Sequence, residues 1–243
     1  MEENRHLKIV ELCLSTLGQN EFIDHFLTLI KKIGAVQSTI FSFNEEKPVC
    51  LLSRNLEVSL VGEMVTAIYL SGWYKSDPLN REIRLLPEGA LVIRHIADMT
   101  DDYPDDYKQA FYSLFKEKNP KIGLADRMSI LLVGNKLRLI VQIYFTHTNS
   151  PHKNNPLLPI LGHLALQHFE MAEETASKDF PIVLTSLSDR ERQVCLGILS
   201  GKKAELIAAD MEVAPSTVVT YRRRAYEKLG ISSRSALFEI CGN

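Results

Sequence analysis

The side chains best suited to binding phosphates and base edges lie together near the end of the chain. Residues 222–224 are three consecutive arginines, and Thr220 and Tyr221 directly precede them. Guanidinium groups bind phosphate and guanine edges, and hydroxyl groups donate to phosphate oxygens. The formal charge is +2 over residues 181–243 and −4 over the first 180. A small basic unit behind a larger acidic one is typical of a nucleic-acid-binding domain joined to a second domain.

Helix signals on both sides of the arginines predict a compact group of short helices. Ser188 and Glu191 form a capping box, in which each side chain binds a free backbone N–H at a helix start. Gly201 ends this first helix, and residues 204–210 predict a short second one. Pro215 suits the first turn of a third helix, where its missing N–H would be unpaired anyway.

The third helix has one apolar stripe, formed by Val218, Ala225 and Leu229. A short helix, a tight turn and a longer helix with cationic and hydroxyl groups outward is the geometry that enters a DNA major groove. Residues 233–240 predict a last helix. The outward face of the third helix is predicted to hold Val219, Thr220, Arg223, Arg224 and Glu227.

The segment 187–234 resembles the helix-turn-helix domain of LuxR-type (NarL-like) transcriptional regulators. It reads LSDRERQVCLGILSGKKAELIAADMEVAPSTVVTYRRRAYEKLGISSR and follows the family pattern without gaps. Agreement in register over about 50 residues is specific. The resemblance implies that the C-terminal domain binds double-stranded DNA. The matching residues are Leu187, Arg190, Glu191, Arg192, Val194, Gly201, Ile207, Ala208, Thr217, Val218, Lys228, Leu229, Gly230, Ser233 and Arg234.

The same resemblance assigns roles to individual residues of the third helix. Val219, Thr220 and Arg223 stand where the family aims side chains at base edges, and Thr217 and Tyr221 stand near phosphates. Two lysines at the start of the second helix are further candidates for backbone contacts. The predicted DNA-binding residues are Lys202, Lys203, Thr217, Val219, Thr220, Tyr221, Arg223 and Arg224.

The chain departs from the family pattern at four positions. Val219 replaces a Lys, Tyr221 a His, and Ala214 the Ser that caps the third helix; losing such a cap costs about 1 kcal/mol. Arg222 replaces an apolar residue. It follows Val218 by four residues, on the inward edge, where it can be accommodated only by reaching outward along its apolar stem. We assign it no DNA contact.

Before this domain, alternating periodicities of about 3.6 and 2 residues predict helices and antiparallel strands. The turn between the last two strands is predicted at Gly134-Asn135, with a positive φ at Gly134. One face of the last strand is expected to carry Leu137, Leu139, Val141, Ile143 and Phe145. In chain order the predicted elements are two helices between residues 9 and 30, strands at 36–43 and 49–53, helices at 56–70 and 107–115, strands at 127–133 and 136–145, and a helix at 159–171.

This order predicts an α+β N-terminal domain, an antiparallel sheet with flanking helices, followed by an all-α helix-turn-helix domain. Pro181 and the small and polar residues before it interrupt the helical pattern and indicate a linker. We therefore expect a sensor-like domain at 1–172, a linker at 173–184 and the helix-turn-helix domain at 185–243.

The segment 73–78, Trp-Tyr-Lys-Ser-Asp-Pro, resembles the Asp-Pro segment of acyl-homoserine-lactone-binding domains, whose Asp accepts a hydrogen bond from the ligand amide. Met64 and Ile68 stand where that family has Trp and Tyr. A quorum-sensing domain and a GAF/PAS-like domain both remain open. If a pocket exists, it is expected to be a small apolar cavity with few polar groups. The predicted ligand-binding residues are Phe41, Phe43, Tyr69, Trp73, Tyr74, Asp77, Phe111 and Ser129.

Other classes of function have less support. The histidines include His163 and His168, five apart, outside the spacing of a helical metal pair, and no motif indicates an enzyme. The four cysteines have no zinc-ligand spacing. Asn44-Glu45-Glu46 lies between antiparallel-looking strands, which argues against a phosphorylated receiver. We expect no catalytic residue, cofactor or metal.

The 243 residues are 45% hydrophobic and 24% charged, which predicts a globular protein. No apolar run is long enough for a membrane span, and the charged start does not suit a secretory signal, so we expect a cytoplasmic protein without a membrane partner. A homodimer is expected because one recognition helix reads few base pairs. A small ligand of the N-terminal domain is one interpretation. A ligand-independent domain that only dimerises or binds protein is the alternative.

Overall fold

In a computed structural model of the protein, helices pack on both faces of one β-sheet. The structure describes residues 2–56, 66, 69–96, 124–146, 151, 154–175, 181, 183–184 and 187–241. In the N-terminal part the elements are α1 (Glu2–Ser15), α2 (Phe22–Lys32), β1 (Gln37–Ser42), β2 (Val49–Asn55), a 3-10 turn (Trp73–Lys75), α3 (Pro78–Leu85), β3 (Leu91–His95), β4 (Leu124–Val133), β5 (Arg138–Thr146) and α4 (Leu157–Thr175).

The C-terminal part is helical, as predicted. Its elements are α5 (Asp189–Leu199), α6 (Ala204–Asp210), α7 (Pro215–Leu229) and α8 (Arg234–Ile240). The five strands form one antiparallel sheet in the order β2-β1-β5-β4-β3. The predicted fold class, an α+β domain followed by an all-α domain, is confirmed.

One face of the sheet packs against α2 and α4. The five apolar residues predicted on one face of β5 are all buried there, together with Phe22 and Phe26 of α2 and Phe169 of α4. His168 of α4 stacks on Phe22, with ring centroids 4.0 Å apart, and its Nδ1 accepts a hydrogen bond from Gly18 N at 3.1 Å. Burial lowers the pKa of His168 from 6.5 to about 4.

The turn between β4 and β5 differs from the prediction. Gly134 N donates to Leu137 O at 2.8 Å, so the bend falls at Asn135-Lys136, and Gly134 does not have a positive φ. A glycine is needed there for close approach instead. A Cβ at Gly134 would collide with the Glu170 carboxylate, which accepts from Lys136 N at 2.8 Å.

The middle of the N-terminal part contains two elements that the sequence reading missed, α3 and β3. Asp77-Pro78 begins α3: Asp77 is its N-cap and Pro78 its first residue. Arg138 ties the end of α3 to β5, because its Nη1 donates to Ile83 O at 2.9 Å and to Leu86 O at 2.8 Å. The helix predicted at 107–115 and most of the one at 56–70 lie outside the described residues.

The helix-turn-helix domain packs against the edge strand β2. A Cβ at Gly230, just after α7, would overlap the carbonyl oxygen of Ser53. Val183, Leu184 and the apolar residues of α5 to α8 belong to the same buried cluster as Phe41 of β1. An uncovered edge strand would expose unpaired backbone groups, and α7 covers part of this one.

Candidate nucleic-acid interface and ligand site

The third helix of the C-terminal part, α7, begins as its sequence predicts. Ala214 occupies the N-cap without a side-chain hydrogen bond, and Pro215 is the first helical residue. Gly230 ends the helix in the left-handed region, with φ of 66°. Val218, Ala225 and Leu229 are buried and hold the helix against α5 and α6.

A buried carboxylate ties α5 to α7. Glu191 accepts hydrogen bonds from Ser188 N at 3.0 Å and from Lys228 Nζ at 2.8 Å, and the capping box is formed as predicted. Burial alone would raise the pKa of Glu191, but the hydrogen bonds of Lys228 and Ser188 outweigh it and the pKa is lowered. The carboxylate therefore stays ionised and fixes the start of α5 relative to the end of α7.

The opposite face of α7 is open to solvent. Val219 is 46% exposed, and Arg223 and Arg224 are also exposed. Thr217 and Tyr221 are half-buried, and so is Thr220, whose Oγ1 donates back to Ser216 O at 3.1 Å. These residues form one surface that can contact a major groove.

Two lysines lie beside this surface, at the start of α6. Lys203 is the N-cap residue of α6, without a side-chain cap. Lys202 Nζ lies 2.6 Å from Asp210 Oδ2, and both side chains are largely exposed. An exposed pair of this kind is worth little, so Lys202 can exchange its carboxylate partner for a phosphate at small cost.

Arg222 has an exposed side chain, although it follows the buried Val218 by four residues. It lines a groove with Lys202, Lys203 and Arg234. A second groove on the same side joins Arg222 to Arg223 and Arg234. The family pattern has an apolar residue at position 222, which hid this arginine from the motif-based reading.

The N-terminal part holds a second group of candidate functional residues, on the face of the sheet opposite α2 and α4. Phe41 and Tyr69 have ring centroids 4.7 Å apart, and Tyr69 and Tyr74 6.4 Å. Tyr69 Oη donates to Asp77 Oδ2 at 3.2 Å. The structure thus brings four of the eight predicted ligand-binding residues into contact.

Asp77 lies at the centre of this group and is 2% exposed. Its Oδ1 accepts from Leu79 N at 3.1 Å, which caps α3. Arg127, equally buried, places Nη1 4.0 Å from Asp77 Oδ2. A buried carboxylate beside a buried guanidinium leaves the local charge balanced.

A row of polar side chains lies on the same face of the sheet, beneath Tyr69 and Asp77. Antiparallel register places Thr39 opposite Gln142, and Gln142 opposite Ser129. Gln142 Oε1 accepts from Thr39 Oγ1 at 3.2 Å and from Tyr144 Oη at 2.7 Å. Burial raises the pKa of Tyr144, so its hydroxyl stays protonated and donates.

The other predicted ligand-binding residues lie at the margins of this group or outside the described part. Ser129 faces the polar row from β4, and Trp73 is half-buried against the aromatic cluster. Phe43 lies at the end of β1, with the Arg84 guanidinium 5.9 Å from its ring centroid. Phe111 lies outside the described residues.

Sequence reasoning missed Gln37, Thr39, Arg127 and Gln142 in this group. A signal was present in β5, where Gln142 is a polar residue within the otherwise apolar run 139–145. Without the strand pairing, nothing in the sequence shows that these residues share one buried face.

Comparison with known families identifies the C-terminal domain. Residues 185–241 match the family model described as "Bacterial regulatory proteins, luxR family". This part of the chain is a DNA-binding domain of the LuxR family, with the helix-turn-helix expected from the sequence. The family consists of transcriptional regulators, which are not a class of enzymes.

Curated relatives match the same region. The chain is 54% identical over 50 residues to "Probable transcriptional regulatory protein NarL" of Mycobacterium tuberculosis, which covers 21% of this chain and 23% of that protein. It is 34% identical over 67 residues to FixJ of Bradyrhizobium diazoefficiens, covering 28% and 33%. The chain thus spans about a quarter to a third of the length of these relatives.

Two solved structures resemble larger parts of the chain. SdiA in complex with octanoyl-rac-glycerol aligns with a TM-score of 0.46 and 15% identity, over 99% of this chain and 93% of that one. The LBD domain of VqsR from Pseudomonas aeruginosa aligns with a TM-score of 0.47 and 16% identity, over 70% and 97%.

No helix within the described ranges is long and apolar enough to cross a membrane. In the same ranges, no group of three or more His, Cys, Asp or Glu side chains could hold a metal ion. The four cysteines carry free thiols.

Proposed function

We propose that this protein is a homodimeric transcriptional regulator whose DNA binding is controlled by a small ligand of the N-terminal domain. The DNA-binding part of the proposal rests on one observation. The LuxR-family domain presents the exposed face of α7, while its apolar stripe is buried. Cytoplasmic action on chromosomal DNA is part of the proposal, as are the domain limits at 172 and 185.

The proposed contacts with DNA fall into two groups. Val219, Thr220 and Arg223 read base edges, as their positions in the LuxR-type pattern imply; Val219 and Arg223 are exposed on α7 and Thr220 is half-buried. The proposed backbone contacts are Lys202, Lys203, Thr217, Tyr221 and Arg224. Such contacts orient the domain and supply most of the salt dependence of binding.

Control by a ligand is supported by the buried polar face of the N-terminal domain. Asp77, Arg127 and Gln142 are buried. Buried polar groups cost free energy when they are not fully hydrogen-bonded, so burying these three does little to stabilise the domain and favours a binding role. Their convergence beside Tyr69 is suited to binding a small molecule.

A route from ligand to DNA runs through β2. Ser53 Oγ lies 2.9 Å from Thr66 Oγ1, on the same face as the polar row, while Ser53 O borders Gly230 at the end of α7. One residue thus contacts both the ligand side of the sheet and the DNA-binding domain. We propose that a ligand changes how the two DNA-binding domains of a dimer are held relative to each other.

Selection of DNA by the full-length protein tests the DNA-binding part. From a random pool we expect enrichment of a palindrome with half-sites about 10 bp apart, one helical turn. Light scattering on the enriched site should give two chains per duplex. Tight binding of a single chain to the palindrome would contradict the dimer.

Ligand control is tested on the same complex by spin labels on the two DNA-binding domains. Label-to-label distances should change when a stabilising ligand is added. Unchanged distances, together with unchanged DNA affinity, would favour the alternative in which the N-terminal domain only dimerises or binds another protein.

A further inference from the structure

Two buried glutamines distinguish the polar face from an ordinary hydrogen-bonded core. Gln37 and Gln142 are each 1% exposed. Gln37 Nε2 and Oε1 and Gln142 Nε2 have no hydrogen-bond partner among the described residues. Leaving a buried amide without partners costs about 1 to 3 kcal/mol, so these groups are expected to be satisfied by something outside the chain.

The two amides lie on one face and close to each other. In the β1–β5 register Gln37 is opposite Tyr144 and Thr39 is opposite Gln142, so the two glutamines are diagonal neighbours. Diagonal neighbours lie about 7 to 8 Å apart, within reach of one small molecule. Gln142 Oε1 already accepts hydrogen bonds from Thr39 and Tyr144. Its Nε2 is therefore the group that can donate to a ligand.

These groups define what a ligand must offer. Gln37 presents a donor and an acceptor side by side, the complement of a cis-amide edge in which a carbonyl adjoins an N–H. Gln142 adds a second donor, which needs a second acceptor. The complementary ligand therefore carries two carbonyl or equivalent acceptors and one N–H donor.

The charges on this face define what the ligand must lack. Arg127 faces Asp77, and Arg94 at the margin pairs with Glu82 at 2.5 Å. These two arginines of the face thus each have a carboxylate partner among the described residues. An ionised ligand would add a buried charge without compensation.

We infer that the N-terminal domain binds a small uncharged molecule with a lactam- or imide-type edge, read by Gln37 and Gln142. This inference rests on the proposed ligand control and specifies its chemistry. A ligand that is mainly a fatty acyl chain would leave both glutamine amides unsatisfied.

The test uses the full chain and its single tryptophan, Trp73, whose ring packs against the aromatic cluster beside the polar row. Glutarimide, with one N–H between two carbonyls, is the probe, at millimolar concentration. N-methylglutarimide lacks the donor, glutarate carries charge, and N-octanoyl-homoserine lactone supplies an acyl chain. Thermal midpoint and Trp73 fluorescence are recorded for each compound.

The decisive variant is Gln37→Met, because no described residue bonds to that side-chain amide. The free variant should be at least as stable as the parent, with a midpoint higher by about 2 to 4 °C. Glutarimide affinity should fall at least tenfold, and Gln37→Asn should restore part of it. Ser38→Ala, on the opposite face of the same strand, loses its bond to Gln142 O and should leave glutarimide affinity unchanged.

The outcomes separate this inference from the proposed function. Binding of glutarimide that is lost in Gln37→Met supports the inference. Equal binding of N-methylglutarimide, or tighter binding of glutarate, overturns it. A response to the octanoyl lactone alone overturns it while ligand control stands, and a flat response to all four compounds overturns the inference and counts against ligand control.

Discussion

The two parts of this protein place their polar groups in opposite ways. The helix-turn-helix domain keeps most of its charges outside, and the exposed face of α7 carries Arg222, Arg223 and Arg224. The N-terminal domain buries polar groups inside, with Gln37 and Arg127 almost fully covered. A charged macromolecule such as DNA is bound by exposed charged residues, whereas a small molecule is bound in a site that encloses it.

The difference also explains which part resembles known proteins at the level of sequence. A DNA-binding helix uses residues at fixed spacing within one short segment, so the motif is contiguous. The polar face is assembled from β1, β4, β5 and the start of α3, which are distant in the chain. No contiguous motif therefore marks it in the sequence.

The largest expected contrast is the response to acid. The unfolded chain protonates His168 near pH 6.5, whereas the folded protein does so only near pH 4. The contribution of neutral His168 to the free energy of unfolding is therefore fully present above pH 6.5. It falls by about 3 kcal/mol as the pH drops from 6.5 to 4. Trp73 fluorescence during urea unfolding at several pH values should follow this loss in the N-terminal domain.

Glu191 should make the C-terminal domain lose stability in a lower pH range than the N-terminal domain. Its pKa is lowered, so its contribution is present above the ordinary carboxyl pKa and is lost only as pH falls further.

His168→Phe should remove most of the loss between pH 6.5 and 4, while His163→Gln, exposed on the same helix, should not. A steep loss that persists in His168→Phe would show that another group is responsible.

The next largest effect concerns base recognition. Arg223→Ala should weaken binding to the selected palindrome by roughly 1 to 3 kcal/mol and relax the preference at one base pair. Fluorescence anisotropy with the palindrome and with single-base variants measures both. Lys31→Ala, an exposed cation of α2, is the control and should change neither.

A smaller effect is expected where the two parts meet. Gly201 and Gly230 both have positive φ, 81° and 66°, so alanine at either costs about 1 kcal/mol. Only at Gly230 would the new Cβ also overlap Ser53. Urea unfolding should therefore show Gly230→Ala to be less stable than Gly201→Ala by about 1 kcal/mol, and equal losses would mean that the domains do not pack in solution.

The smallest effect tests the grooves beside α7. Arg222→Ala should weaken binding about equally on every DNA sequence and reduce the slope of log affinity against log salt by about 1. Lys47→Ala, an exposed cation of the N-terminal part, should leave the slope unchanged. A change in base preference at one position would instead indicate that Arg222 contacts a base edge.

The sequence was sufficient for elements whose signals are local. The capping box at Ser188 and Glu191 and the burial of Val218, Ala225 and Leu229 are confirmed, because each depends on neighbours within one or two helical turns. It failed at Gly134, where the constraint is the approach of Glu170 from a distant helix and not the backbone of the turn.

By itself, the sequence determined the class of the C-terminal domain, the buried stripe of α7 and the alternation of the strands, since periodicity and capping are properties of contiguous residues. Tertiary structure alone decided that Gln37, Gln142, Arg127 and Asp77 share one buried face, and that Gly230 meets Ser53 at the edge of the sheet. The reason is physical: strand register and helix packing join residues that the chain separates by up to about 180 positions, and no local pattern records which of them meet.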